Sequence, residues 1–318
     1  MTTAQHEIGS GFGARTTAAE VLAGIDLSGR LALITGGYSG IGLETTRALA
    51  GAGARVLIPA RRPAAAREAL TGLDTVRVET LDLGDLRSVA TLAAKLLDAG
   101  EPIDIVIDSA GIMACPETRV GDGWEAQFAT NHLGHYALVN QIWPLIADGG
   151  GRVVAVSSGA HRRSGIRWDD VQFEHGYDKW AAYGQAKTAN VLFAVHLDRL
   201  GQEAGVRAFA LHPGGIMTPL QRHLSQEEMR ERGWIDEAGR PINASFKSPE
   251  QGAATQTWAA TSPQLDGLGG VYCEDCEIAE VNDDPEGTTG VRSYAIDPAE
   301  ARRLWELSAE LTGVNAFT

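Results

Sequence analysis

The chain has 318 residues, 44% of them hydrophobic, and a net charge of −14 from 41 acidic and 27 basic side chains, so a sizeable core is available inside an acidic surface. That charge excludes nucleic acid as a main partner and electrostatic docking on anionic lipid, because both need a basic face. Three cysteines, Cys115, Cys273 and Cys276, are too few for a disulfide framework and suit a reducing compartment.

Residues 1–28 read as a polar arm leading into a short helix from Thr17 to about Ala23, with Thr16 or Thr17 as its cap. The arm lacks the basic start and apolar core of a secretory signal, and no apolar stretch approaches a membrane span, so a cytoplasmic protein is expected. "RLALIT" at 30–35 is the first strand, and amphipathic sequence follows from Ile41 to about Gly53. "RVLIPA" at 55–60 is the second strand, followed by the alanine-rich helix "PAAAREALTGL". "VRVETLDL" and "LRSVATLAAKLLDAG" repeat the unit. "IDIVIDSAG" at 103–111 is the fourth strand, and a long helix is expected over roughly Gly123 to Ala147. "GRVVAVSSG" at 151–159 and "GVRAFALHPGG" at 205–215 are the fifth and sixth strands. Strands alternating with helices imply βαβ units and a parallel sheet covered on both faces. Such sheets bind ligands beyond the carboxyl ends of their strands, so functional residues should cluster just after the apolar runs. About Met217 to Ser248 breaks the rhythm and reads as a flap over that site. No composition break marks a second domain.

The first strand runs into "TGGYSGIG". Glycines at 36, 40 and 42 free a sharp strand-to-helix turn from Cβ constraints and let a pyrophosphate approach the positive helix end. The G-x-x-x-G-x-G spacing differs from the G-x-G-x-x-G fingerprint, so a ligand-free turn is the alternative. Arg61 and Arg62 follow the second strand, where an acid would hold the ribose hydroxyl of NAD and an arginine the 2′-phosphate of NADP. Ala60 places no carboxylate there, which favours NADP(H) over NAD(H). Asp82 is placed either to accept from an adenine amino group or to cap the next helix.

Tyr183 and Lys187 lie four apart in a helical stretch and share a face. An ammonium beside a phenol favours the phenolate and suits the pair to proton transfer at neutral pH. Ser158 ends the fifth strand, where a hydroxyl can stabilise a developing oxyanion. Asn131, a poor interior helix former, has a side chain, or a freed carbonyl, that could hold a water linked to Lys187. A nucleophilic hydrolase is the competing chemistry, but no G-x-S-x-G elbow surrounds Ser158.

These motifs together resemble the short-chain dehydrogenases/reductases over nearly the whole chain. Thr35-Gly36-Gly37-Tyr38-Ser39-Gly40-Ile41-Gly42 matches the family's TGxxxGIG loop; Asn131, Ser158, Tyr183 and Lys187 match its Asn-Ser-Tyr-Lys set; "HPGGIMT" matches its PG motif. "TTAAEVLAGIDLSGR", "NHLGHYAL", "AKTANVLFA" and "RRLWELSAELTG" resemble the retinol dehydrogenase and WW-domain oxidoreductase branch. The resemblance implies a single-domain, Rossmann-like, doubly wound parallel sheet over 29–318, with a C-terminal helix at about 298–312. It implies Asn131, Ser158, Tyr183 and Lys187 as catalytic residues. Cofactor contacts are implied at Gly36, Tyr38, Ser39, Gly40, Ile41 and Gly42, and at Arg61, Arg62, Asp82 and Leu83. Ser109, Ala110, Gly111, Tyr183, Lys187, Pro213, Gly214, Ile216 and Thr218 complete that set. The family's NNAG is here Asp108-Ser109-Ala110-Gly111, which changes local hydrogen bonding. No amino-terminal membrane anchor like that of animal retinol dehydrogenases is expected.

The expected chemistry is NADP(H)-dependent hydride transfer between nicotinamide and a carbonyl or alcohol of a lipophilic or aromatic small molecule. His161, Trp168, Met217, Leu220 and Trp234 are the candidate pocket residues. The alternative is a catalytically silent NADP(H)-binding sensor. Cys273-x-x-Cys276 lacks a second ligand pair and reads as structural thiols, so no metal is expected. A homodimer or homotetramer is compatible with the family.

Overall fold

Alternate residues of the central strands sort into two separate cores. In Leu31–Thr35 (β1), Leu33 joins one apolar cluster and Ala32 and Ile34 the other. Arg55–Ala60 (β2), Val76–Thr80 (β3) and Ile105–Asp108 (β4) follow in the parallel sheet. The computed structural model describes residues 3–317.

Arg119–Val120 (β5) and Trp124–Glu125 (β6) form a separate two-stranded hairpin. Arg152–Val156 (β7), Arg207–His212 (β8), Val271–Glu274 (β9) and Glu277–Ile278 (β10) complete the main sheet. Its order is β10-β9-β8-β7-β4-β1-β2-β3, with every pairing parallel except β9 with β10. Both faces are covered, so β1 is buried at all five positions rather than alternating with solvent. The fold is thus a single-domain, Rossmann-like, doubly wound sheet. Strand order reverses between β1 and β4, which is where such folds open a ligand crevice.

The short helix Ala18–Val21 (α1) has Thr17 as N-cap in a capping box with Glu20. Gly40–Gly51 (α2), Pro63–Ala69 (α3) and Leu86–Ala99 (α4) each follow a strand. The long helix expected from 123 to 147 is not continuous. Trp124 and Glu125 belong to the hairpin, and the Glu125 carboxylate caps the next turn by accepting from Gln127 and Phe128 N–H. Ala126–Phe128 (α5) then passes through a π-turn, Ala129–Leu133, into Gly134–Gln141 (α6). Trp143–Gly149 (α7) restarts at Pro144, which has no N–H to continue the earlier helix.

Lys179–Gly201 (α8) is almost wholly buried, sandwiched between the sheet and the C-terminal helix. Gln226–Glu231 (α9) lies in the flap, Pro249–Gly252 (α10) and Ala254–Thr261 (α11) follow it, and Pro298–Thr312 (α12) packs along α8. Trp305 of α12 stacks parallel to Phe193 of α8, with ring centroids 5.9 Å apart. The N-terminal arm is docked on the sheet edge. Glu277 of β10 accepts from Ile8 and Ser10 N–H, and Gln5 hydrogen-bonds Tyr272 of β9 through both ends of its amide.

Cys273 and Cys276 flank the β9–β10 turn, both buried, and burial raises the pKa of each thiol, that of Cys276 to about 11. His132 and His135 are built into the fold: His132 Nε2 meets Ser308 Oγ of α12 at 2.7 Å, and His135 Nδ1 meets the Asn131 carbonyl at 2.9 Å.

Candidate active site

A cleft of about 750 Å³ opens where the carboxyl ends of β1 and β4 diverge. Its floor is the glycine turn. Gly36 has φ of +70°, and a methyl group there would lie 2.9 Å from the Ala110 Cα. At Gly42 a methyl group would lie 2.5 Å from the Gly36 carbonyl oxygen. Both glycines are therefore required first by the turn's own packing, and only through that by an approaching ligand. Ser39 is the N-cap of α2 but makes no side-chain cap, and the helix has no acidic residue in its first turn. Its N-terminal N–H groups are left for an anion.

All of the expected cofactor positions line this one cleft: Gly36, Tyr38, Ser39, Gly40, Ile41, Gly42, Arg61, Arg62, Asp82, Leu83, Ser109, Ala110, Gly111, Tyr183, Lys187, Pro213, Gly214, Ile216 and Thr218. Arg61 and Arg62 are exposed and form no ion pair among the described residues. Asp82 does not cap α4; Asp85 does, and Asp82 Oδ1 accepts from Gly84 N–H at 2.9 Å beside the cleft. The charge here is opposite to that of the molecule. Arg61, Arg62, Arg162, Arg163, Lys187, Arg222 and Arg232 line the cleft, and Asp82 is the acidic side chain among its described lining residues. Such a focus of positive field in a chain of net charge −14 suits a polyanion like a dinucleotide phosphate.

Ser158, Tyr183 and Lys187 reach the same cleft from β7 and α8. Ser158 caps the short turn 159–163, its Oγ accepting from Ala160 N–H at 3.1 Å. Lys187 Nζ donates to the Val156 carbonyl at 2.9 Å and sits 5.7 Å from the Tyr183 ring centre. Burial pushes the Tyr183 phenol up to about 12, a hydrogen bond with Ser158 opposing the rise, and pushes the Lys187 ammonium down to about 8. In this state burial opposes the acidification expected of the Tyr183 phenol beside Lys187.

Asn131 lies behind the cleft wall, fully buried. Its amide holds the Ile112 backbone on both sides, accepting from N–H and donating to C=O at 2.9 Å each. The π-turn does displace its carbonyl, but His135 donates to that oxygen, so one of its lone pairs is taken. A methyl group at Gly111 would lie 3.1 Å from Asn131 Oδ1 and 3.7 Å from Lys187 Nζ, which puts both side chains against Gly111.

The expected substrate residues separate into two groups. Leu220 and Trp234 line the cleft, with Trp180 and Phe246, which the sequence reading did not single out. Trp180 lies three positions before Tyr183 on one helix face, a spacing that could have found it. His161, Trp168 and Met217 are not among the lining residues. His161 is buried and holds the Ser158 carbonyl, and Trp168 donates to Glu300 of α12 under the Arg303 guanidinium. The flap is part helical, carrying α9, and is closed at its base by a bridge between Ile216 and Lys247.

A family model described as short chain dehydrogenase matches residues 30–229, which include the glycine turn and the Ser-Tyr-Lys group. The chain belongs to the short-chain dehydrogenase/reductase family. A "Probable oxidoreductase" of Streptomyces lividans is 46% identical over 297 residues, covering 90% of this chain and 98% of its own. Human retinol dehydrogenase 14 is 33% identical over 313 residues, covering 91% and 88%. A crystal structure of an uncharacterised Mycobacterium paratuberculosis protein superposes with a TM-score of 0.72 at 32% identity, covering 96% and 99%. The match to retinol dehydrogenase 14 thus covers more of the chain than the family model does. This short-chain dehydrogenase/reductase has no helix, among its described residues, long and apolar enough to cross a membrane.

Proposed function

We propose that the protein is an NADP(H)-dependent carbonyl reductase and alcohol dehydrogenase for lipophilic or aromatic small molecules. The observation that carries this reading is the convergence of Ser158, Tyr183 and Lys187 on the cleft that holds the glycine turn. The residues present fit the dinucleotide. The open N-terminus of α2 suits its pyrophosphate, and Arg61 and Arg62, unpaired and preceded by the buried Ala60, suit a 2′-phosphate. When bound, the nicotinamide supplies the hydride that reduces a carbonyl carbon, or accepts one from an alcohol.

Ser158 Oγ and the Tyr183 hydroxyl hold the carbonyl oxygen, and the phenol gives that oxygen its proton as the carbon is reduced. Burial keeps the phenol protonated, the state a donor needs. Lys187 uses one proton on Val156 and has two left, for a ribose hydroxyl and for the returning phenol proton. Asn131 fixes the Ile112 backbone beside that path. In the oxidative direction the same groups run backwards, with Tyr183 as base.

The test follows absorbance of the reduced nicotinamide over a panel of neutral aldehydes and ketones. NADPH should be oxidised and NADH used poorly. Tyr183→Phe should lose about 10²–10⁴ in kcat while keeping its melting temperature and NADPH affinity. Binding of NADPH without oxidation by any member of the panel, or a phenylalanine variant as fast as the parent, overturns the reading.

A further inference from the structure

At the end of the cleft beyond Tyr183, two guanidinium groups converge on one indole. Arg232, the C-cap of α9, lies with its guanidinium carbon 4.0 Å from the Trp180 ring centre, and Arg163, at the end of the turn after β7, lies 5.7 Å from it. The Trp180 ring stands edge-on to Trp234 and to the Tyr183 ring, with centroids 6.2 and 6.4 Å apart. All five of these side chains line the cleft.

Neither arginine is spoken for. Among the described residues no carboxylate pairs with Arg163 or Arg232, and Glu228, which feels the Arg232 charge, is bound to Lys179 at 2.5 Å. The neighbouring Arg162 shows what an engaged guanidinium looks like here. It donates to the Gly290 carbonyl and opposes the rise that burial imposes on the Glu274 carboxyl. The Trp180 indole nitrogen is buried without a hydrogen-bond partner among the described residues. Two unpaired guanidiniums stacked on an aromatic wall form a recognition site for a planar anion.

We infer that Arg163 and Arg232 bind a carboxylate on the substrate, so that the preferred carbonyl compound is an acid whose two functional groups are separated by a body about one aromatic ring wide. The spacing follows from the placement: the carbonyl sits at Tyr183 and the carboxylate at the arginines on Trp180, whose ring centre lies 6.4 Å from that of Tyr183. This inference rests on the proposed carbonyl reductase reading and narrows its substrate class. The redox step is unchanged: hydride goes to the carbonyl carbon, the Tyr183 proton goes to its oxygen, and the carboxylate is a spectator.

The experiment compares kcat/KM with NADPH for 4-formylbenzoate and its methyl ester, in the parent and in Arg163→Gln, Arg232→Gln and the double variant. The parent should favour the acid by about 10-fold or more, the worth of one charge-assisted pair. Each glutamine variant should lose most of that preference through KM for the acid, with the ester unchanged within about twofold. Equal losses for acid and ester would show that the arginines merely hold the flap on Trp180, and no preference in the parent would equally overturn the inference. A second measurement is independent of turnover: tryptophan fluorescence of the NADP⁺-loaded protein titrated with benzoate and with benzamide. Quenching by benzoate alone, lost in the double variant, supports the anion site even if neither aldehyde is reduced, and the failure then belongs to the carbonyl reductase reading. No discrimination between benzoate and benzamide overturns the site itself.

Discussion

The two ends of the cleft are made of different material. At the glycine end the wall is backbone: the turn 36–42, the first N–H groups of α2 and the Ala110 main chain, packed so closely that a methyl group at Gly42 would meet a carbonyl oxygen at 2.5 Å. At the far end the wall is side chain: Trp180 from α8, Trp234 and Phe246 from the flap, and arginines from two segments. Backbone walls admit few residue types, so they recur as fixed motifs. Side-chain walls can be rebuilt one residue at a time without disturbing the fold, which is how one scaffold serves many substrates.

Substitution should expose that difference most strongly at Gly42. Gly42→Ala must push the helix start away from Gly36, and NADPH affinity should fall by at least about 100-fold, the worth of two or so charge-assisted contacts to the phosphates. Phe246→Ala, at the opposite end, should leave NADPH affinity within about twofold and change only KM for the carbonyl compound. Isothermal titration of both variants checks the pair, and an alanine at 42 that binds as the parent does would erase the distinction. Arg61→Ala sits between the two extremes, because it is a side chain serving the backbone-built end. It should raise KM for NADPH by about 10- to 100-fold and leave NADH untouched. Equal loss for both cofactors in steady-state kinetics would remove Arg61 from the 2′-phosphate.

The same contrast explains what was legible in the sequence. β2 appears at the bounds its apolar run implies, and α12 at those the family resemblance implies. The positions matching the glycine loop, the Ser-Tyr-Lys group and the PG motif gather at one cleft because strand topology brings all carboxyl ends together. The break between 123 and 147 was not legible. Trp124–Glu125 is strand only because Arg119–Val120 returns beside it, and the π-turn at 129–133 inserts its bulge within a run that is helical on both sides. Trp168 and His161 read as pocket residues in the sequence. In the fold, α12 claims the first and the buried cluster around Tyr272 and Arg292 the second.

Lys187 tests how much stability the reactive end gives up. Its ammonium is buried, and its pKa in the folded chain, about 8, lies below the ordinary value near 10.4. In the window between the two the unfolded chain binds the extra proton, so stability rises with pH there and the full cost is carried below about 8. Lys187→Met removes that cost, on the order of 3 kcal/mol at neutral pH, while the Val156 carbonyl keeps its bond from Asn190. The variant should lose most turnover yet melt several degrees higher at pH 7, with the gap to the parent closing as pH climbs above 8. A lower melting temperature across that whole range would mean that the ammonium stabilises the fold.

Asp108 offers the smallest effect and the opposite slope. It ends β4, in register with Thr35 and Ala155, and both its carboxyl oxygens are buried without a hydrogen-bond partner; His135 Nε2 is 3.9 Å away. Burial pushes this carboxyl well above the usual range. The unfolded chain releases the Asp108 proton near pH 3.9 while the native chain retains it, so here the native state binds more protons and stability falls as pH rises from that point. Asp108→Asn keeps the shape, adds an N–H₂ donor and carries no charge at any pH. It should melt higher than the parent at pH 7 by about 1–2 kcal/mol, or a few degrees. The difference should narrow as pH drops toward 5, where the lysine variant's gap stays wide. Parallel melting curves from pH 5 to 8 would mean that Asp108 does not titrate with folding, and that His135 and Thr35, which lie 2.8 Å apart beside it, already satisfy the site without it.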